Sequence, residues 1–194
     1  MLEQRIQQQF FEGADLHYQA AEALSRPVAA AAQVMLTAII GGGKVLTCGA
    51  GLGRSVAQHL AAALVGRLER DRPSLAALWL PDDPSRLDAA SAPQEVFARP
   101  LRALAQPGDV LVVVDHPGSP ATLAAADAAH EKDASVVVLA AAGSATAWSA
   151  RLDDTDVIIA VPHERAARIA EMHLLVVHCL CDALDLQLLG EPDT

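Results

Sequence analysis

The chain has 194 residues, 52% hydrophobic and 20% charged, which excludes global disorder and leaves room for one ordinary domain. Lys and Arg total 14 against 24 Asp and Glu, a formal charge of −10. With no local basic patch to override that field, nucleic-acid phosphates are repelled, which argues against a direct reader of DNA or RNA. Aromatics are only 3% and alanine carries much of the apolar content, favouring close-packed helices over a β-sandwich.

The segment Leu2–Leu24 spaces Ile6, Phe10, Leu16 and Ala20 among polar residues as a helix does. A second helix is expected from Pro27, well placed in a first turn, to the stop at Gly41-Gly42-Gly43. That apolar run is too short to span a membrane, and the N-terminus carries no basic start followed by an apolar stretch, so no secretory signal is read and a cytoplasmic protein is expected. Lys44–Cys48 reads as the first strand, broken by Gly49-Ala50-Gly51-Leu52-Gly53 and followed by a helix over Arg54–Leu68. Further strands are expected at Leu75–Leu80, Val110–Val114, Val136–Leu139 and Val157–Val161, with alanine-rich helical stretches between them, clearest at Pro120–Glu131. A last helix runs over Glu164–Leu189. Continuously apolar strands alternating with helices indicate a parallel sheet covered on both faces. The expected architecture is therefore α/β, a three-layer αβα sandwich with a five-stranded parallel sheet plus two N-terminal helices. Cys48, Cys179 and Cys181 are odd in number and lack a repeated CxxC spacing, which predicts reduced, buried thiols.

In such sheets ligands sit at the carboxyl ends of the strands, so the loops after Cys48, Leu80, Val114 and Leu139 are the ones to interrogate. The turn through Gly51, Gly53, Arg54 and Ser55 offers backbone donors at a helix N-terminus, a natural anion site. It is no dinucleotide fingerprint, because Arg54 stands where the third glycine belongs, and no P-loop, because it lacks a Gly-Lys pair. Trp79 and Trp148 read as core or interface anchors. Leu188 and Leu189, in the apolar C-terminal tip, are candidates to pack on a sister subunit or to dock another protein.

The segments Gly43–Gly49, Ala57–Ala62, Val65–Arg67, Arg72–Leu75, Glu95–Arg99, Pro107–Leu111 and Arg168–His173 resemble, in order along nearly the whole chain, the phosphoheptose isomerase branch of the SIS (sugar isomerase) domains. Cys179-Leu180-Cys181-Asp182 with Leu184-Asp185 are similar to the initiator-associating (DiaA) proteins of that branch, which act with the DnaA initiator. The resemblance implies the flavodoxin-like SIS fold. It also implies a homotetramer or homodimer in which residues 1–42 serve oligomerisation and residues 43–194 form the SIS domain.

The activity implied is aldose–ketose isomerisation through an enediol, which needs a base for a carbon-bound proton and an acid for the oxygens. Of the four positions that carry the family's catalytic and zinc-binding side chains, His59 and His178 match, but Ala63 replaces the glutamate and Ala170 the glutamine. A methyl group neither abstracts a proton nor binds a metal, so no cofactor is expected. The family's Gly-Asn-Gly-Gly-Ser is Gly49-Ala50-Gly51-Leu52-Gly53 here, and its Ser-Thr-Ser-Gly-Asn-Ser is Asp115-His116-Pro117-Gly118-Ser119-Pro120. Asp115 in place of a serine sets a carboxylate against a phosphate, at a cost of about 4 kcal/mol for like charges ~4 Å apart at an effective dielectric near 20. The segment after Leu80 is also shorter than the family's.

These departures predict a non-catalytic, oligomeric protein-binding regulator, of replication initiation by resemblance, with His59 and His178 as remnants. The alternatives are a phosphosugar isomerase acting on sedoheptulose 7-phosphate with relocated groups such as Asp115, His116 or Glu95, and a binding protein for a less anionic small molecule.

Overall fold

A computed structural model describes residues 1–86, 92–115 and 118–191. The chain runs α1 (Leu2–Ile40), β1 (Val45–Gly49), α2 (Gly53–Val65), β2 (Ala77–Trp79), α3 (Glu95–Leu104), β3 (Val110–Val114), α4 (Pro120–His130), β4 (Ser135–Ala141), α5 (Ala145–Ser149), β5 (Val157–Val161) and α6 (Ala166–Leu189). The strands form one parallel sheet in the order β2-β1-β3-β4-β5. The order reverses between β1 and β3, which makes the carboxyl ends of those two strands the crevice where such sheets bind ligands.

Side chains alternate across the pleat and so build two cores. Val110, Val112 and Val114 of β3, with Val137 and Leu139 of β4, face α1, α2 and α6. Leu111, Val113, Val136 and Val138 face α3, α4 and α5, where Phe97 and Trp148 are the large fillers. Alanines of α4 (Ala125, Ala126, Ala128 and Ala129) are fully buried and let the helix lie close on the sheet.

The two helices expected over residues 2–43 are one continuous helix. Pro27 lies inside it, where it removes one backbone hydrogen bond at a cost of about 3 kcal/mol. The buried stripe Leu16, Ala20, Leu24, Ala31, Met35 and Ala38 continues through the proline and holds both halves against α6 and the sheet. The start of the helix is held to α6 from Gln9 onward, through Arg165 and Arg168, and Leu2, Ile6, Phe10 and Phe11 are exposed. α1 and α6 are each long and apolar enough to cross a membrane by composition, and each lays its buried stripe on this sheet instead. The second strand is shorter than expected, three residues, and the helix after β1 stops at Val65 because Gly66 leaves helical geometry. Two helices were not among the expected elements: α3, amphipathic but interrupted by Pro100, and the five-residue α5, little more than one turn.

Candidate active-site cleft at the carboxyl edge of the sheet

The β1–α2 turn closes directly onto β3. A Cβ on Gly49 would come within 2.5 Å of the Gly53 carbonyl oxygen, and one on Gly53 would overlap the carbonyl oxygen of Val114. Gly51 meets nothing but takes φ +56°, a left-handed conformation that glycine adopts without cost. The glycines therefore have packing and turn reasons to be there. Arg54 at the start of α2 is half exposed and bonds Asp82 from the segment after β2 at 2.7 Å, bringing two of the interrogated loops together. The Ser55 hydroxyl donates to the Leu52 carbonyl within its own turn.

The β3–α4 turn is organised by Asp115, which is fully buried. Its Oδ2 accepts from the Ser119 backbone N–H at 2.6 Å and from the Thr122 hydroxyl. Ser119 is the N-cap of α4, and Gly118 before it takes φ +71°. Asp115 was expected to confront a phosphate across the cleft; the carboxylate points instead into the first turn of α4. His116 lies outside the described residues. Glu95 is bound by Arg102 at 2.5 Å, and Arg102 also holds Glu131, so Glu95 is engaged in an ion-pair network between α3 and the end of α4. That network pulls the Glu131 carboxyl below its usual range, through hydrogen bonding to Arg102.

His59, six residues after Gly53 on α2, and His178, on α6, come together. Their Nε2 atoms are 3.1 Å apart and the rings meet edge to face with centroids 5.3 Å apart. Both are partly buried. One ring must donate and the other accept, so the pair shares a single bridging proton. Ala63 lies one turn after His59 and Ala170 two turns before His178, and neither has a donor atom. A tetrahedral zinc ion takes four N, S or O ligands, or three with an open position. This pair offers two nitrogens already bonded to each other, so the residues present do not fit the family's metal. Among the described residues one other group has metal-capable chemistry, His130 with Asp153 and Asp156. It lies at the amino ends of β4 and β5, where Asp156 also accepts from the backbone N–H of Val136 and Asp153 and fastens α4 to the sheet.

Two cavities frame the cleft question. The larger, about 870 Å³, lies at the amino edge beside the Lys44–Asp109 pair, opposite the turns described above. A smaller one of about 370 Å³ lies at the carboxyl edge, lined by Gly143, Ser144, Ala147, His163 and Glu164. Its residues went unnoticed in the sequence because they fall in irregular segments after β4 and β5. His173 packs beneath that edge against the Ala140 carbonyl. Trp148 is core, as expected. Of the cysteines, Cys48 and Cys181 are buried, and desolvation, aided by Asp115 and Asp185 respectively, pushes both thiols up, Cys181 to about 11. Cys179 is exposed, against expectation, because it faces outward from α6. Leu188 is half-buried against the core and Leu189 is exposed.

A doubly wound parallel sheet of this strand order, with glycine-built turns at its switch point and paired histidines on two flanking helices, defines an α/β SIS-type protein. The comparisons agree with that class: the SIS domain family matches residues 9–141. A phosphoheptose isomerase from Methylibium petroleiphilum is 53% identical, covering 100% of this chain and 98% of its own. The structure of a phosphoheptose isomerase from Neisseria gonorrhoeae superposes with a TM-score of 0.87 at 38% identity, over 95% of this chain and 99% of that one. One from Francisella tularensis gives 0.88 at 33% identity, over 95% and 98%. The chain belongs to the SIS domain family, in its phosphoheptose isomerase branch.

These findings correct the expectation of a non-catalytic regulator of replication initiation. The relatives that match end to end carry the name of an enzyme, and the pseudoenzyme reading falls with the regulator. That expectation counted polar side chains lost at single positions and gave too little weight to the full-length likeness.

Proposed function

We propose that the chain is an aldose–ketose phosphosugar isomerase acting on sedoheptulose 7-phosphate or a close relative, in the cytoplasm, where three unpaired thiols suit a reducing compartment. The observation that carries this reading is the His59–His178 contact. When a sugar parts the two rings, the neutral Nε2 of one takes the carbon-bound proton while the Nε2–H of the other donates to the carbonyl oxygen, giving the enediol. Reversal with the oxygens exchanged gives the product. Imidazoles suit this chemistry because their ordinary pKa lies near neutrality. With Ala63 and Ala170 contributing no ligand, these steps run on the two rings without zinc. The phosphate end sits at the β1–α2 turn, with Gly51, Gly53, Arg54 and Ser55 around it, and the sugar extends toward Gly118 and Ser119.

We also propose self-association through the exposed start of α1, as a dimer or tetramer. The full-length likeness to named phosphoheptose isomerases supports the enzyme reading. Purified protein should convert sedoheptulose 7-phosphate equally with and without a chelator. His59→Asn and His178→Asn should each lower kcat/KM by about 10²–10⁴-fold. No turnover above background, with zinc supplied or withheld, would sink the proposal.

A further inference from the structure

Where α6 begins, it lies against the first half of α1. A cavity of about 420 Å³ opens there, walled by Gln9, Phe10, Gly13 and His17 of α1 and by Arg168 and Glu171 of α6. Arg168 is nine-tenths buried. Its guanidinium lies across Gly13, where an added Cβ would come within 2.8 Å of Nη1. Glycine inside a helix is unfavourable, and here it makes room for the cation. Nη1 donates to Glu171 at 2.5 Å. The edge formed by Nε and Nη2 is poorly used. Nη2 reaches Gln9 Oε1 only at 3.4 Å, while Arg165 holds that same oxygen at 2.8 Å. The buried Nε has no hydrogen-bond partner among the described residues. Every group that touches the guanidinium (Gln9, Gly13 and Glu171) also lines the cavity, so the guanidinium faces it.

We propose that this cavity is a binding site for a small monocarboxylate, held on the Nε–Nη2 edge of Arg168. That edge presents two parallel N–H donors matched to the two oxygens of a carboxylate. Such a ligand supplies the acceptor that the buried Nε lacks. The Gln9 carboxamide, already drawn toward Arg165, gives way to it. Phe10 offers the ligand's apolar body a wall. With Glu171 beside Nη1, each further negative charge meets repulsion as well as attraction, so a phosphate dianion is disfavoured. His178 lies ten residues further along α6, about 15 Å at the helical rise, so the site is separate from the histidine pair and does not rest on the isomerase reading.

The probes are benzoate, its uncharged counterpart benzyl alcohol, and inorganic phosphate. Each is titrated into the intact protein by calorimetry, with the Arg168 Nε–H followed by NMR. Benzoate should bind saturably and move the Nε–H signal, and benzyl alcohol and phosphate should bind at least tenfold more weakly. Arg168→Gln should weaken benzoate at least tenfold. A buried arginine also supports folding, so a second variant blocks the cavity from its rim. Ala14 is exposed and lines the cavity, and Ala14→Trp should weaken benzoate at least tenfold with the far-UV circular dichroism unchanged. Benzoate that leaves the Nε–H signal unmoved overturns the proposal, as does equal benzoate affinity in the wild type and Ala14→Trp. So does benzyl alcohol or phosphate binding as tightly as benzoate.

Discussion

At the scale of single residues, a buried pair of charges ties the end of α2 to α6. Arg72 and Asp185 form a buried ion pair at 2.5 Å. The same guanidinium donates to the carbonyls of Leu64 and Ala63 at the end of α2, where free carbonyls and the helix dipole favour a cation. Arg70 donates to the carbonyls of Asp185 and Gly190 beside it. The cluster clamps the segment after α2 onto α6, and with it the two helices that bring His59 to His178. Removing one partner of a buried pair strands the other charge, so Asp185→Ala should lower unfolding free energy by about 3–5 kcal/mol in urea titrations. Arg72→Lys should recover little, because an ammonium cannot reproduce the guanidinium fork. A loss below about 1 kcal/mol for Asp185→Ala would show that the pair is dispensable. Asp185 was visible in the sequence only as a point of family likeness. Its physical role was not, since its partner lies more than a hundred positions away. The histidine pair was half legible: the two residues could be named, but that their Nε2 atoms touch depends on how α2 and α6 pack.

At the scale of elements, the β1–α2 turn separates two uses of glycine that look alike in the sequence. Gly53→Ala drives a methyl into the Val114 carbonyl, so the turn or β3 must shift, with an expected loss of about 1–3 kcal/mol and impaired sugar binding. Gly51→Ala meets open space and carries only the left-handed backbone cost, about 1–2 kcal/mol. Thermal unfolding with a sugar titration separates the two, because Gly51→Ala should keep its affinity while Gly53→Ala loses it. Equal affinities would mean that the close approach to β3 is relaxed in solution. The strands were easy to read because each is a continuous apolar run whose alternate residues feed two cores. α1 was misread at Pro27, where the local rule for proline lost to a stripe of buried residues running through it. The segment facing Arg54 was singled out in the sequence as one of the loops to interrogate, whereas the Asp82 contact belongs to the tertiary structure alone.

At the scale of the whole molecule, the start of α1 carries exposed apolar side chains, with Leu2 73%, Ile6 50% and Phe10 75% exposed. Spaced four apart, these residues line one side of the helix. Such a stripe is costly in water, and the proposed self-association would cover it. Ile6→Glu with Phe10→Glu should move the protein to a smaller species in light scattering while leaving the far-UV circular dichroism unchanged. An unaltered mass would place the subunit contact elsewhere. The fold class was legible from patterning and its family from ordered short segments. The activity was misjudged because missing side chains are conspicuous in a sequence, whereas an intact scaffold is spread thinly over every element.

The tight meeting of Gly49, Gly53 and the end of β3 has one more consequence. The floor of the crevice is made largely of peptide groups pressed against each other, which a side-chain exchange leaves in place. Substitutions at the rim can recast what the crevice prefers while its shape is held from below. A chain that carries the inward-facing Asp115 at the end of β3 therefore keeps the same vessel beneath its altered turn.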